Sequence, residues 1–397
     1  MELNDKIKKI ILAILALLAV VSLVQGVRNA IRDSQDFQWD AAKVLSMGIN
    51  PYDESLQPSG ALDEFGYDKY YLQMEANQFP SLLMILFPFT VLSPLAGRYV
   101  WILVNILLTV GMIWLLRYTF LKDMDNVDFA ILMCLMIAGT PYRNQIGVGQ
   151  HTIFAFTFFQ LAVYFSEYCS VLQNDNKRNK ILRLIIVSLC LFICYFKYTL
   201  TVPLVLYFVY KKKYAEIILS GIYHIILTFV AALMLNDSFI NMIIKPLKVS
   251  SALSSEGGID FGVFLDGSKT AYILLLMVML ILLFIALRLD EGYDKAFISV
   301  LVMWSVIVTY HRTYDFFVIV LAVALFYNLP DSVKDNKKLL SMLRVMFYCM
   351  FAVVYFVLRV FSEAYPSKVF AAVIYYTLTL FVTYILIREM YNNKRKI

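Results

Sequence analysis

The chain has 397 residues, of which 61% are hydrophobic and only 16% are charged, and its formal net charge is +6. A soluble domain carries about 25% charged residues, so this composition excludes a water-soluble globular protein and indicates a polytopic membrane protein. The small excess of positive charge is typical of loops that orient membrane spans, and it does not indicate a nucleic-acid partner.

The apolar segments predict an all-α fold, one integral membrane domain over residues 1–397 with twelve transmembrane helices. The first segment lacks a small-x-small cleavage site, so we interpret it as an uncleaved span and not as a signal peptide. Clusters of Lys and Arg at 177–183, 211–213 and 394–396 predict cytoplasmic termini in a cell (inner or plasma) membrane. The predicted spans are 10–26, 99–121, 129–141, 151–168, 183–197, 199–210, 214–235, 270–288, 296–310, 316–328, 345–361 and 369–388.

One apolar segment, 79–95, is excluded from the spans because Pro80, Pro88 and Pro94 interrupt it. An interior proline removes a backbone hydrogen bond, which lipid-exposed backbone tolerates poorly. We therefore predict a broken helix at the outer interface. Two large extracytoplasmic loops result, 27–98 with interfacial helices and 236–269.

Two carboxylates stand just beyond the first predicted span. The residues after them indicate a helix, which would bring Asp36 and Asp40 onto one face at i and i+4 before a turn at Gly48. Near an apolar surface, two carboxylates could supply a general base or bind a metal. A hydrated amphipathic helix at the membrane interface explains the same residues, so the pattern alone leaves both interpretations open.

A polar segment, 140–151, is predicted to form a short outer turn between the third and fourth spans. It contains Arg143, and Gly147 and Gly149 allow close backbone approach. Gln150 and His151 open the next helix, whose N-terminus favours anions. A tight polar turn without a ligand is the commoner meaning of such a segment.

Two cationic positions lie on the same predicted side. Lys197 separates two apolar segments and either snorkels to the headgroups or faces an anion, because an unpaired charge in hydrocarbon is costly. His311 and Arg312 suit a phosphate, with Arg as a two-pronged donor and His as a donor or proton carrier. An ordinary charged turn would also explain the pair.

All of these segments fall on the outer face under a topology chosen from loop charges alone. Together they predict a pocket for a hydroxyl-rich acceptor and an anionic, lipid-borne donor. The order and spacing of several short motifs carry a further resemblance: Ser34-x-Asp36-Phe37, Gly48-x-x-Pro51-Tyr52-Asp53, Phe79-Pro80, Gly149-Gln150 and Lys197.

In these motifs the sequence resembles glycosyltransferase family 87, mannosyltransferases of the GT-C architecture, over its first 210 residues and more weakly to His311. The resemblance implies a GT-C-like bundle that transfers a sugar from a polyprenyl-phosphate carrier at the extracytoplasmic face, with inversion and without a metal or other cofactor. It implies that Asp36 is the general base. The substrate-binding residues would be Lys197, His311 and Arg312 at the carrier phosphate, and Gln150, Arg143 and Asp40 in the pocket.

The sequence thus predicts a membrane hexosyltransferase, with mannose as the expected sugar and a glycolipid or envelope polysaccharide as the acceptor. Two alternatives remain open at this point. A flippase or transporter of lipid-linked sugars would share the basic pocket but need no base. A polysaccharide polymerase or ligase would consume a pyrophosphate-linked oligosaccharide.

Overall fold

The computed structural model of the chain describes residues 4–58, 75–173, 176–253, 258–265, 268–352 and 365–394, and all regular elements in these ranges are helices. The predicted all-α class is confirmed for these ranges. The first α-helices are α1 (Asp5–Arg32), α2 (Trp39–Ser46), α3 (Pro51–Leu56), α4 (Pro80–Ile85), α5 (Pro94–Leu115), α6 (Asn126–Ala138), α7 (Thr140–Val148), α8 (Thr152–Val163) and α9 (Ser170–Gln173). The later ones are α10 (Lys177–Cys194), α11 (Tyr198–Tyr210), α12 (Tyr214–Met234), α13 (Phe239–Leu253), α14 (Phe261–Phe264), α15 (Lys269–Arg288), α16 (Asp294–Val308), α17 (Asp331–Lys334), α18 (Lys337–Ala352) and α19 (Tyr365–Lys394).

Short 3₁₀ helices join several of these elements, and a longer one forms an element of its own. The short ones are Gln35–Phe37, Phe87–Val91 and Tyr195–Lys197. The long one is Thr313–Tyr327, in the position of the tenth predicted span.

Six helical segments in the described ranges are long and apolar enough to cross a membrane: Asp5–Arg32, Pro94–Phe120, Lys177–Tyr210, Tyr214–Met234, Lys269–Arg288 and Lys368–Asn392. The protein is therefore a membrane protein, but the count of twelve spans is not confirmed. The pair Thr140–Val148 and Thr152–Tyr168 is bent by 107° at its break, the geometry of a broken span or a re-entrant loop.

By its length and hydropathy the helical segment Lys177–Tyr210 could be a single span. The chain nevertheless reverses its direction within this segment. A straight helix of 34 residues would separate its ends by about 50 Å. Near its start Arg183 donates to Gln173, and at its end Lys211 lies 3.6 Å from Glu167, so both ends sit beside the same short stretch. The reversal falls at the 3₁₀ turn that contains Lys197, as the sequence predicts.

Helix α16 forms the centre of the bundle. Every side chain in 296–308 is buried, and the helix packs against the 3₁₀ helix Thr313–Tyr327, α11 and α19. A helix that is apolar on all sides suits either a protein core or a lipid environment, and here the neighbouring helices enclose it. The ends of α16 and of its neighbours therefore have fixed relative positions.

One end of the bundle carries a set of ion pairs between residues distant in sequence. They are Lys8 with Asp128, Lys295 with Asp123, and Lys211 with Asp294. Lys8 lies near the N-terminus and Lys211 belongs to the cluster 211–213, both predicted to be cytoplasmic, and the structure brings them to one end. Which side of the membrane this end faces stays a prediction.

The opposite end carries the short helices of the first loop. Proline begins α4 and α5 at Pro80 and Pro94, and Pro88 lies in the 3₁₀ helix between them, which confirms the predicted break. Trp39 on α2 donates to the carbonyl of Phe89 at 3.0 Å, so α2 packs on the broken helix. The location of these helices at the lipid interface stays a prediction.

The second loop is tied to the first by charge. Lys245 on α13 lies 2.6 Å from Asp237 and 2.7 Å from Asp53 on α3. Parts of both predicted loops, 59–74, 254–257 and 266–267, lie outside the described residues. The eleventh predicted span begins as α18, and its residues 353–361 also lie outside the described ranges.

Candidate active site

Asp36 lies on a short, strained turn directly after α1. Ser34 and Gln38, on either side of the 3₁₀ helix Gln35–Phe37, have φ angles of 39° and 62°. A left-handed backbone at non-glycine residues costs about 1–2 kcal/mol each and is often kept at functional sites. The turn also corrects the prediction that Asp36 and Asp40 share one helix face, because Gln38 breaks the helix between them.

Aromatic packing fixes this turn against the segment that follows α7. The ring of Phe37 stacks on Trp101 at 4.8 Å, and the Trp101 indole donates to the carbonyl of Gly149 at 2.8 Å. Gly149 has a φ of +70°, and a Cβ at this position would lie 3.4 Å from the Phe37 Cβ. Glycine is therefore favoured there by its left-handed conformation, whereas the contact at 3.4 Å is an ordinary one.

The segment 140–151 is not the short turn predicted from its polarity. It forms helix α7, which Gly149 ends in the left-handed conformation. Gln150, just beyond this helix, is buried and its amide donates to Asp36 at 3.2 Å and to the Tyr314 hydroxyl at 3.1 Å. Gln145 in turn donates to the Gln150 carbonyl, which holds the backbone of the segment in place.

A buried carboxylate, Asp315, joins the two predicted cationic positions. One of its oxygens, Oδ2, lies 2.8 Å from His311 Nδ1 and 3.4 Å from Lys197 Nζ. The other accepts a hydrogen bond from Thr152. All of these groups are at least nine-tenths buried, so the attraction between them is stronger than it would be in water.

Tyr314 links the Asp315 cluster to the Asp36 turn. Its hydroxyl accepts from Gln150, and Lys197 Nζ lies 5.5 Å from the centre of its ring. The structure thus brings together four of the predicted site residues, Asp36, Gln150, Lys197 and His311, although they come from four separate helix junctions.

The electrostatic environment of Asp36 has two opposing components. Burial raises the pKa of Asp36, and the positive charges of Lys197 and Arg312 and a hydrogen bond from Tyr314 act to lower it. Arg312 is exposed and donates to the Tyr310 hydroxyl at 2.7 Å, so it lies on the open side of the cluster. A carboxyl held between burial and cations is typical of a proton acceptor in an active site.

Two predicted site residues point elsewhere. Arg143, on α7, donates to the side chain of Gln25 on α1 at 3.1 Å. Asp40, on α2, is half-buried, and burial raises its pKa to about 7 while the nearby charge of Arg98 acts to lower it. Neither residue is joined by a described hydrogen bond to the Asp36–Asp315 cluster.

Several residues of the cluster were missed in the sequence. Asp315 follows His311 by four residues and Thr152 follows Gln150 by two, a spacing that could have drawn attention to both. Glu75 gave no such signal, because it lies far from Asp36 in the chain. Burial raises the pKa of Glu75, and the negative charge of Asp36 raises it further, so these two carboxyls are near each other.

One known protein family matches the chain. The profile of glycosyltransferase family 87 matches residues 80–311, which is more than half of the chain. The chain belongs to glycosyltransferase family 87. It is therefore a membrane glycosyltransferase, and membership in an enzyme family decides against the flippase alternative. No curated protein and no solved structure matches the chain.

The family 87 match contains Gln150, Lys197 and His311, whereas Asp36 precedes it and Arg312 follows it. The roles of all these residues remain to be proposed from their contacts. In the described ranges, no three His, Cys, Asp or Glu side chains are grouped as metal ligands. Metal-independent transfer stays a prediction.

Proposed function

We propose that this glycosyltransferase moves a hexose such as mannose from a polyprenyl-phosphate donor to a hydroxyl of a glycolipid or envelope polysaccharide at the extracytoplasmic face. The single observation that carries the proposal is the cluster in which Asp36, a partly buried carboxyl on a strained turn, lies near the buried side chains of Lys197 and His311. A base and a phosphate site are the two parts that such a transfer needs.

In the proposed reaction, Asp36 removes the proton from the acceptor hydroxyl as its oxygen bonds to the anomeric carbon of the sugar. The bond from that carbon to the phosphate oxygen breaks, and its electron pair stays on the leaving phosphate. Lys197, His311 and Arg312 stabilise the negative charge that develops there. Attack from the face opposite the phosphate inverts the anomeric centre.

Gln150 has a supporting role in this scheme. Its amide donates to Asp36 and thereby keeps one carboxylate oxygen directed into the cluster. A hydrogen bond to the ionised form of a carboxyl stabilises that form, which is the form that accepts a proton. Arg143 and Asp40, which have other partners in the structure, have no part in the proposed chemistry.

A lipid-borne donor is supported by an apolar groove whose lining includes the residue next to Lys197 in the chain. The groove has a volume of about 270 Å³ and reaches Tyr198, the residue after Lys197. Apolar and aromatic side chains suit a hydrocarbon chain, and the phosphate of the same lipid would then lie near Lys197. The groove is lined by Phe79, Tyr195, Tyr198, His224, Ile225, Thr228, Phe239 and Ile243.

The test is transfer by the purified protein in lipid nanodiscs. The protein is incubated with a panel of polyprenyl-phosphate sugars and with a lipid extract of the producing cells as acceptor. We expect release of free polyprenyl phosphate with one sugar and a loss of about 100-fold or more in Asp36→Asn. Asp53→Asn, which changes an exposed carboxylate of α3, serves as control. Absence of release with every donor, or full activity of Asp36→Asn, would contradict the proposal.

A further inference from the structure

Asp260, in the second loop, has one carboxylate oxygen that is used and one that is not. Its Oδ1 accepts from the backbone N–H groups of Gly262 and Val263 at 2.9 and 3.3 Å, and so caps α14. Its Oδ2 is buried without a hydrogen-bond donor in the described part of the chain, and the residue is only 2% exposed. A buried acceptor without a partner is costly, so it needs an explanation beyond the cap.

The unused oxygen lies beside the cationic cluster. A Cβ on Gly258 would come within 2.4 Å of Asp260 Oδ2 and within 2.8 Å of the His311 carbonyl oxygen, so these two groups face each other across Gly258. Tyr376 donates to the carbonyls of Ile259 and Ile307, which attaches the segment 258–265 to the end of α16.

The charges around Asp260 restrict what its free oxygen can bind. Burial raises the pKa of Asp260 and the charge of His311 acts to lower it, in line with the position of both residues next to Gly258. With His311 and Arg312 nearby, a cationic ligand would be repelled. A neutral hydroxyl can donate to the oxygen without this penalty, and a hydrogen bond to a carboxylate is stronger than one to a neutral acceptor.

The proposed function supplies hydroxyl groups at this place. In a polyprenyl-phosphate sugar, the ring is bonded directly to the phosphate, so its hydroxyls lie within a few ångströms of the group that His311 would hold. We infer that Asp260 Oδ2 accepts a hydrogen bond from one hydroxyl of the donor sugar and thereby selects the sugar. This inference rests on the proposed donor, and it assigns to the second loop a direct part in choosing the hexose.

The substitution Asp260→Asn isolates the unused oxygen. Asparagine caps a helix about as well as aspartate, so the amide keeps the Oδ1 contacts and replaces only Oδ2 by an NH₂ group. Asp125→Asn is the matched control, because Asp125 caps α6 through the same pair of contacts, to Val127 and Asp128, far from the cluster. Both variants are assayed with the active donor and with its monodeoxy analogues.

We expect Asp260→Asn to lower kcat/KM for the intact donor about 10- to 100-fold, while Asp125→Asn stays within twofold of the parent enzyme. For one monodeoxy donor the parent enzyme and Asp260→Asn should have equal kcat/KM, which identifies the hydroxyl. Equal kcat/KM of both enzymes on the intact donor would overturn the inference. So would the same loss with every monodeoxy donor, because that pattern indicates a role in shaping the loop only.

A second substitution covers the case in which Asp260→Asn does not fold. Asp260→Ser also provides a cap but is too short to reach the hydroxyl, and the same pattern with the monodeoxy donors is expected. Failure of both variants to fold would make Asp260 a structural residue and overturn the inference. If the parent enzyme releases no polyprenyl phosphate at all, the proposed donor fails first, whereas an active parent with an unaffected Asp260→Asn refutes only the role of Asp260.

Discussion

At the scale of single residues, the proposed reaction requires that Asp36 be ionised, so that it can accept a proton. Its pKa is raised by burial, and the charge of Lys197 is the largest of the opposing influences. Activity should therefore fall as the pH drops through the pKa of Asp36. The acid limb of the rate profile should lie at higher pH than for an exposed aspartate, whose pKa is about 3.9.

Replacing Lys197 should move that limb. Lys197→Met removes a cation that lowers the pKa of Asp36, so we expect the acid limb of kcat/KM to shift to higher pH. The measurement is the pH dependence of sugar transfer by both enzymes. Lys245→Met, which removes a lysine bound to Asp237 and Asp53, is the control and should leave the limb in place. An unshifted limb in Lys197→Met would show that Asp36 does not sense this charge.

We expect Asp315 to act by positioning His311 and Lys197. Thr152→Val removes the hydroxyl that donates to its Oδ1 and leaves the side-chain volume nearly unchanged. We expect the KM for the donor to rise about tenfold, since a hydrogen bond to a charged group is lost, with little change in the acceptor KM. Thr157→Val removes a buried hydroxyl of the same helix, bonded to the Leu108 carbonyl, and should leave both constants unchanged.

Asp40 should affect stability and not transfer. Its folded-state pKa of about 7 exceeds the ordinary value of an aspartate, about 3.9, so ionisation opposes folding. The resulting loss of stability begins near the pKa of Asp40 in the unfolded chain and grows as the pH rises. It is complete above the pKa of Asp40 in the folded protein. Asp40→Asn should therefore raise the unfolding temperature more at pH 8 than at pH 5. An equal change in unfolding temperature at pH 5 and pH 8 would mean that Asp40 ionises freely in the folded protein.

At the scale of elements, the site depends on the close approach of α1 and α7. A Cβ on Gly26 would lie 3.0 Å from the carbonyl oxygen of Arg143, which is backbone and cannot move aside cheaply. Since Asp36 follows α1 and Gln150 follows α7, any widening of this contact would separate the proposed base, Asp36, from the Gln150 amide that donates to it.

Gly26→Ala tests this contact. We expect it to lower the unfolding temperature and to reduce kcat, because α1 must shift relative to α7. Gly111→Ala is the matched control: Gly111 lies in α5 with nothing near the new methyl group, and alanine favours a helix interior by about 1 kcal/mol. The control should keep its activity and its stability. Normal activity of Gly26→Ala would show that the two helices tolerate a wider spacing.

The sequence predicted the elements better than their contacts. The lengths of the apolar segments predicted the positions of most helices, and the prolines at 80, 88 and 94 predicted the break. Both features depend on residues that are near each other in the chain. The helix α7 was missed because its polar residues, such as Arg143 and Asn144, are typical of a turn. Only the packing of neighbouring helices around this segment makes a helix the favoured structure. The spacing of Asp315 from His311 was a usable signal, but its contact with Lys197 could not be predicted, since the two residues are distant in the chain.

At the scale of the whole molecule, the candidate site and the main set of ion pairs lie at opposite ends of the bundle. Ser46 is exposed on α2 near the site, and Lys122 is exposed near Asp123 at the other end. In a cysteine-free background, Ser46→Cys should react with a membrane-impermeant thiol reagent added outside intact cells. Lys122→Cys should react only after the membrane is opened. The reverse result would invert the predicted orientation.

The long 3₁₀ helix Thr313–Tyr327 has only 15 residues, too few for an α-helix to traverse a bilayer. A 3₁₀ helix, however, advances about 2.0 Å per residue, so the element extends about 30 Å, which equals the depth of the hydrocarbon layer. Rewinding it into α-helical pitch would shorten it by about 7 Å. We therefore expect the stretched winding to let this short apolar segment, the tenth predicted span, cross the membrane while its first turn brings Tyr314 and Asp315 to the candidate site.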